Sequence, residues 1–197
     1  MKLLGITGPT GAGKSTLLEV FESLGVFCVD ADEVYNRLLS ANDGLNAVLR
    51  KSFPGMHTPD GIDKKALGRL VYGNKPLMEK LISITHGFIL NEIGAMLEKA
   101  ELSGFDTAAV DAALLFESGY HKRCLLTVGV LAPVELRIAR IMARENISAE
   151  YAQLRVGAQQ SDLFYIQNCD YIINNTGDLD RLRCEAEKIF KKIAEDA

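Results

Sequence analysis

The sequence lacks several features that would assign it to a particular class of protein. No apolar run reaches the roughly 20 residues that cross a membrane. Lys2 already enters the first predicted strand, so we expect no cleavable signal sequence. With 197 residues the chain can bury one good core. These points predict a globular protein of the cytoplasm without a membrane partner.

The chain also lacks an excess of positive charge. Its formal net charge is −4, with 22 Lys and Arg against 26 Asp and Glu. Non-specific binding to nucleic acid requires a basic surface, so this balance argues against a nucleic-acid partner. A polyanionic substrate would have to be met by a local group of cations, and the arginines are the residues to inspect.

The cysteines are few and without pattern. Cys28, Cys124, Cys169 and Cys184 lie far apart and do not have the spacing of metal ligands. Two of the four fall in apolar segments. We expect free thiols in a reducing compartment.

One motif at the N-terminus is highly informative. The segment Gly8-Pro9-Thr10-Gly11-Ala12-Gly13-Lys14-Ser15 fits the phosphate-binding loop, with a predicted strand before it and a helical pattern behind it. Backbone N–H groups and the helix start would surround phosphate oxygens. Lys14 would neutralise the outer phosphates, and the Ser15 hydroxyl would ligate Mg²⁺. The predicted nucleotide-binding residues here are Gly8, Gly11, Ala12, Gly13, Lys14, Ser15 and Thr16.

Further strands alternate with helices along the chain. Strands are predicted at 26–29, 108–111, 125–130 and 171–173, besides the one before the loop. This order indicates an α/β protein, a three-layer P-loop fold with a five-stranded, mostly parallel sheet. The stretch of about 33–103 contains helical patterns and no convincing strand, so we predict a helical substrate-binding insert. A helical lid is predicted at about 133–168, within one kinase domain.

Acidic residues follow two of the predicted strands. Asp111 ends the third strand beside the loop, where it would bind magnesium directly or through water, or would simply mark the strand's exit from the core. Asp30 and Asp32 flank one residue, and an extended chain would point both side chains the same way. One could accept the proton of an acceptor hydroxyl, and the other could cap the next helix.

Three arginines share one helical stripe. Arg137, Arg140 and Arg144 fall within roughly 60° of one another at about 100° per residue. They could hold phosphate oxygens, or they could pair with Glu135 and Glu145 in solvent. Phosphoryl transfer needs charge beyond one lysine, so we favour the phosphate role.

The motifs together resemble the dephospho-coenzyme A kinase family. The similarity is carried by the phosphate loop, Asp30-Ala31-Asp32, Leu114-Leu115-Phe116-Glu117, Arg140 to Arg144, Gln159, and Asp170-Tyr171-Ile172-Ile173 with Asn175 and Gly177. The resemblance implies that the γ-phosphoryl group of ATP passes to the 3′-hydroxyl of dephospho-CoA. ATP and dephospho-CoA are then the partners and Mg²⁺ the cofactor.

The same resemblance implies roles for individual residues. Asp32 would be the catalytic base, and Lys14 and Arg140 would stabilise the transition state. Arg144, Asn175 and Gly177 would bind the nucleotide, the last two near its adenine. The residues expected to bind the acceptor are Asp30, His86 and Glu117. Without the resemblance, His86 would be interpreted as a half-buried histidine of an apolar helix.

The chain also departs from the family pattern, at Gly87, Ala113, Leu131 and Tyr165. Two alternative functions remain at this point. A kinase of another small acceptor, such as a nucleoside monophosphate, would share the fold and the loop. A GTPase-type switch would need Asn-Lys-x-Asp, and Asn74-Lys75-Pro76-Leu77 lacks the acid.

Overall fold

The structure is a computed structural model that describes residues 1–58, 61–71 and 74–195. The strands are β1 Lys2–Thr7, β2 Phe27–Asp30, β3 His57–Thr58, β4 Gly61–Ile62, β5 Thr107–Asp111, β6 Leu126–Leu131 and β7 Tyr171–Asn174. The helices are α1 Lys14–Ser23, α2 Ala31–Ala41, α3 Asp43–Ser52, α4 Lys64–Val71, α5 Lys75–Leu102, α6 Val134–Glu145, α7 Ala149–Gly157, α8 Asp162–Asn168 and α9 Leu179–Glu195. A 3₁₀ turn covers Tyr120–Arg123.

Five strands form one sheet in the order β2-β5-β1-β6-β7, and every neighbouring pair is parallel. The predicted α/β fold is therefore confirmed, with a sheet that is entirely rather than mostly parallel. β1 is central, and its neighbours β5 and β6 lie far along the chain. The carboxyl end of β1 is thus a point where strand order reverses, the place where ligands bind in open α/β sheets.

The sheet strands are apolar runs because both faces of the sheet are covered. Leu4 and Ile6 of β1 are at most 1% exposed, and Val128 and Val130 of β6 are fully buried. Phe21 of α1 is also fully buried in this core. Each such side chain contributes about 1.5–3 kcal/mol of transfer free energy.

The chain divides into two compact units, Met1–Asp30 with Ala100–Ala197, and Ala31–Lys99. The first unit holds the parallel sheet. The second holds helices α2 to α4, most of α5, and an antiparallel pair in which His57 is opposite Ile62. The prediction that the insert contains no strand was wrong. Two-residue strands are too short to show the alternation by which a strand is recognised.

The second unit has its own core. Its fully buried residues include Leu45, Leu49 and Leu67, from α3 and α4. Arg37 of α2 pairs with Glu92 of α5 at 3.0 Å. The helical character predicted for this segment is present, and its role toward a substrate stays a prediction.

Two serines begin helices in the C-terminal half. The Ser148 side chain accepts a hydrogen bond from Tyr151 N and so caps α7. Ser161 caps α8 in the same way, through Phe164 N. Helix α8 was not predicted, because its seven residues are too few to show a helical pattern. Across the three described ranges, no helix combines the length and apolar character that crossing a membrane would need.

Candidate active site

The phosphate loop joins β1 to α1, and its three glycines, Gly8, Gly11 and Gly13, all have positive φ angles. Gly11 has φ 79° and Gly13 has φ 95°. A Cβ on Gly13 would lie 2.0 Å from Nδ2 of Asn175, and one on Gly11 would lie 2.7 Å from the carbonyl oxygen of Arg137. The glycines are therefore required by the protein groups packed behind the loop as well as by the turn itself.

The first turn of α1 presents the residues predicted to meet phosphate. Nζ of Lys14 donates to the carbonyl oxygen of Gly8 at 3.1 Å, so the lysine side chain folds back over the loop. Ser15 is exposed and Thr16 is half-buried in the same turn. The positive end of the α1 dipole and the backbone N–H groups of its first turn favour an anion here.

Two of the predicted acids meet at the carboxyl edge of the sheet. Asp111 pairs in register with Ile6 on one side and with Asp30 on the other. Asp111 is only 7% exposed, whereas Asp30 is half-buried. A buried carboxylate beside the strand that enters the phosphate loop has the placement expected of a magnesium-binding acid.

Asp32 lies in the second unit and in a different conformation from the one predicted. β2 ends at Asp30 and α2 begins at Ala31, so Asp32 is in the first helical turn and is exposed. The prediction that Asp30-Ala31-Asp32 is extended was therefore wrong, because α2 begins directly after the last residue of β2. A carboxylate in the first turn of a helix is stabilised by the helix dipole.

His86 also belongs to the second unit. It is half-buried near the middle of α5, and the neighbouring Gly87 is exposed. The interpretation as a half-buried histidine describes this environment. The structure does not test its predicted contact with an acceptor.

The three arginines of α6 do not act together. Arg137 is buried, with 3% of its side chain exposed. Its Nε donates to the carbonyl oxygen of Thr10 at 3.1 Å, and its Nη2 donates to Oε1 of Gln159 at 3.0 Å. Asp162 lies 3.8 Å from its Nη1. Burial lowers the pKa of Arg137 and Asp162 opposes that shift. The predicted three-arginine group for phosphate was wrong in including Arg137, because its guanidinium is buried behind the loop and donates to Thr10 and Gln159.

Arg140 lies one turn further along and also contacts the loop. Its Nη1 donates to the carbonyl oxygens of Gly11, at 3.1 Å, and Ala12, at 3.2 Å. Its Nη2 lies 3.4 Å from Oδ1 of Asn175. Backbone carbonyl oxygens of the phosphate loop thus hold the Arg140 guanidinium beside the loop, and the residue is half-buried.

Arg144, at the far end of α6, has a different environment. Its side chain is 60% exposed, and its Nη2 lies 2.7 Å from Oε1 of Glu145. Arg155 of α7 pairs with the same carboxylate. Burial alone would raise the pKa of Glu145, but the hydrogen bonds from Arg144 and Arg155 outweigh it and lower the pKa. This is the solvent-facing pairing that the sequence left open.

Asn175 follows β7 and is almost fully buried. Its Nδ2 donates to the carbonyl oxygen of Ala12 at 2.9 Å, and its Oδ1 accepts from the backbone N–H of Gly177 at 3.1 Å. Both ends of the amide are therefore used inside the protein, and contact of this side chain with adenine would require these bonds to break. Gly177 is exposed and has φ 104°.

A cavity of about 360 Å³ opens beside Gly8. Its lining is Gly8, Ala113, Leu114, Glu117, Ala158, Gln159, Gln160 and Tyr165. Glu117 accepts a hydrogen bond from Nε2 of Gln160 at 3.2 Å. Burial, with a contribution from Glu117, raises the pKa of Tyr165 to about 12, so its phenol is neutral at physiological pH. Two positions at which the chain departs from the family pattern, Ala113 and Tyr165, thus share one cavity with Glu117.

A glycine-rich phosphate loop at the carboxyl edge of a parallel sheet, followed by a basic helix that contacts it, defines a nucleoside-triphosphate-binding protein of the P-loop class. The model of the dephospho-CoA kinase family matches residues 2–181. A dephospho-CoA kinase from Latilactobacillus sakei is 31% identical over 191 residues, 96% of this chain and 95% of that protein. The chain belongs to the dephospho-CoA kinase family.

Solved structures agree with this membership. A Thermus thermophilus protein superposes with a TM-score of 0.79 at 29% identity, with 97% of each chain covered. The dephospho-CoA kinase from Campylobacter jejuni gives a TM-score of 0.68 at 28% identity, covering 100% of this chain and 99% of that one. The likeness extends over the whole chain rather than over the phosphate loop alone.

Proposed function

We propose that this chain transfers the γ-phosphoryl group of ATP to the ribose 3′-hydroxyl of dephospho-CoA, giving coenzyme A and ADP. The observation that carries the proposal is a phosphate loop with its lysine and arginine in place, within a chain that matches the family over residues 2–181. The steps of this transfer can be assigned to the chain's own residues.

The loop binds the triphosphate. The N–H groups of Gly11 and of Gly13 to Thr16 surround the phosphate oxygens, and Lys14 exchanges the carbonyl oxygen of Gly8 for the β- and γ-phosphates. A single uncharged carbonyl holds the ammonium group in the described structure, so a charged phosphate readily replaces it.

Mg²⁺ fits the donors at the sheet edge. The hydroxyl of Ser15 and the buried carboxylate of Asp111 are hard oxygen ligands, which Mg²⁺ prefers together with substrate phosphates and water. When bound, the ion neutralises the charge that develops on the phosphate oxygens.

Arg140 stabilises the transition state. Its guanidinium already contacts the loop through Gly11 and Ala12, and from there it would donate to a phosphoryl oxygen. Arg144 is exposed and can reach the nucleotide by leaving Glu145. Asn175 and Gly177 complete the expected nucleotide site, with Gly177 offering backbone close to adenine.

Asp32 accepts the proton of the 3′-hydroxyl as the bond to phosphorus forms. Phosphoryl transfer has a loose transition state, so the base contributes a moderate factor, about 10²–10⁴-fold. Asp30, His86 and Glu117 are the residues expected to bind the acceptor. Of these, Glu117 lines the 360 Å³ cavity next to Gly8.

The expected compartment is a reducing cytoplasm. The structure describes all four cysteines, and each is a free thiol. No nucleic-acid or membrane partner is part of this proposal.

Steady-state kinetics with a panel of acceptors test the proposal. ADP release from ATP should be fastest with dephospho-CoA and slow with nucleoside monophosphates. A nucleoside monophosphate that exceeded dephospho-CoA by a large factor would replace the acceptor, and the kinase class would survive. Equal binding of GTP and ATP without transfer to any acceptor would favour a GTPase-type switch instead.

Two variants separate the roles within the site. Asp32→Asn should lower kcat by about 10²-fold or more while the Kd of ATP changes little. Lys14→Ala should harm both the Kd of ATP and kcat, because it removes charge in the ground state and in the transition state. Equal losses of ATP affinity in the two variants would contradict this division of roles.

A further inference from the structure

Thr10 lies at the centre of the phosphate loop, and its N–H, hydroxyl and carbonyl groups all take part in hydrogen bonds. Its N–H donates to Oε1 of Gln159 at 3.0 Å, and its hydroxyl accepts from Nε2 of Gln159 at 2.8 Å. Its carbonyl oxygen accepts from Nε of Arg137 at 3.1 Å. Arg137 and Gln159 are in turn joined at 3.0 Å. We call these two side chains the Thr10 bracket.

The bracket matters because of the residue that follows Thr10. Gly11 has φ 79°, and the absence of a Cβ allows the Thr10–Gly11 peptide plane to rotate at little cost. A peptide unit is planar and trans, so its C=O and N–H point in opposite directions. A donor that fixes the carbonyl oxygen of Thr10 on the α6 side therefore turns the N–H of Gly11 toward the opposite side, into the loop.

The next two peptide units are fixed on the same principle. The carbonyl oxygens of Gly11 and Ala12 both accept from Arg140, and Ala12 also accepts from Asn175. Arg140 is needed for the reaction and can leave for a phosphoryl oxygen. Arg137 is 3% exposed and donates to Thr10 and Gln159, so its guanidinium stays packed behind the loop. The Thr10 bracket is thus the permanent part of the arrangement.

We propose that Arg137 and Gln159 are positioning residues for ATP: they hold the Thr10–Gly11 peptide so that its N–H group is oriented for phosphate before ATP binds. The cost of ordering the loop is then met on folding rather than on binding. The inference depends only on triphosphate binding by this loop and not on the identity of the acceptor.

The direct test replaces Gln159, whose loss leaves a small gap at a half-buried position. Gln159→Ala removes three hydrogen bonds, and the Kd of ATP without acceptor should rise about 10-fold to 100-fold by titration calorimetry. Gln159→Glu keeps acceptor oxygens for Thr10 and Arg137 and should recover most of the affinity. Gln153→Ala, exposed on α7 of the same segment, is the matched control.

Kinetics distinguish positioning from mere structural support. A positioning role predicts that KM for ATP rises with Kd while KM for the acceptor and kcat change little, because the N–H contacts act in ground and transition states alike. A purely structural role would lower the active fraction, and hence apparent kcat, with KM unchanged. Urea unfolding of each variant establishes the folded fraction.

A folded Gln159→Ala protein whose Kd for ATP stays within twofold, or about 0.4 kcal/mol, of the Gln153→Ala control would overturn the inference and leave the proposed function intact. A wild-type protein that bound no triphosphate would overturn both. If Gln159→Ala fails to fold, Arg137→Lys tests the same inference. A lysine keeps the charge but lacks the rigid fork by which Nε and Nη2 of Arg137 hold Thr10 and Gln159, so KM for ATP should still rise.

Discussion

The two ends of α6 carry the same residue type and differ completely in environment. At the inner end, Arg137 and Arg140 donate to three successive carbonyl oxygens of the phosphate loop. At the outer end, Arg144 is 60% exposed and pairs with the adjacent Glu145. The inner arginines donate to backbone oxygens of the loop, whereas the outer one is held by a solvated carboxylate. Stability, loop geometry and the chemical step should depend on the inner end, whereas the outer end should add only a direct contact with the nucleotide.

The largest effect is expected at Arg140. Arg140→Ala should lower kcat by about 10²–10³-fold, because one preorganised cation is removed from the developing charge. Loss of the loop contacts should add a smaller rise in KM for ATP. Steady-state kinetics measure both. A variant with normal kcat would show that Arg140 serves only to hold the loop, as Arg137 does.

The sequence predicts those features of the site that depend on local patterns, but not those that depend on distant contacts. The phosphate loop, the five strands and the position of Asp111 follow from local patterns that a single segment contains, and the structure agrees with them. The stripe of three arginines was also correct as geometry, since all three lie on α6. The partner of Arg137 could not be predicted, because Thr10 is 127 positions away in the chain.

Other residues of the site were missed for the same reason. Gln159 was noticed only through the family resemblance, and nothing in its neighbourhood signals two hydrogen bonds to Thr10 and one to Arg137. Asn175 beside adenine stays a prediction, but the hydrogen bonds of its amide to Ala12 and Gly177 were not foreseen. Asp32 was predicted to lie on an extended chain. The three residues from Asp30 to Asp32 are too few to show the helical pattern of a helix that begins directly after a strand. Burial and distant contacts, rather than local preference, decide such positions.

The next effect is on stability at the inner end. Arg137→Met should lower the free energy of unfolding by about 2–3 kcal/mol, because the carbonyl oxygen of Thr10 loses a charged donor in a buried place. Asp162 is 48% exposed and returns to water at little cost. Urea unfolding measures the change. Arg183→Met, an exposed residue of α9 paired with Glu187, is the control and should stay within about 0.5 kcal/mol.

At the outer end the prediction reverses. Arg144→Ala should change the free energy of unfolding by less than about 0.5 kcal/mol, because its pair with Glu145 is solvated. KM for ATP should nevertheless rise about 10-fold if Arg144 binds the nucleotide, the value of one charge-assisted contact. An unchanged KM would remove Arg144 from the nucleotide site and leave α6 functional at its inner end only.

The smallest effect concerns pH. Glu145 has a pKa lowered below its ordinary value of 4.5 by Arg144 and Arg155, so it stabilises the folded state above that value. This contribution should be lost as the pH falls below 4.5 through the lowered pKa. The difference in unfolding free energy between wild type and Glu145→Gln should therefore shrink between about pH 7 and about pH 3. A difference that stays constant or grows would contradict the pairing.

The most direct test of the central claim is the chemical identity of the product. Purified protein is incubated with ATP, Mg²⁺ and dephospho-CoA, and the acceptor is then analysed by mass spectrometry and phosphorus NMR. The account predicts an acceptor that has gained one phosphoryl group on its 3′-oxygen, in equal amount to the ADP formed. An unmodified acceptor, or a phosphoryl group on another oxygen, would contradict it.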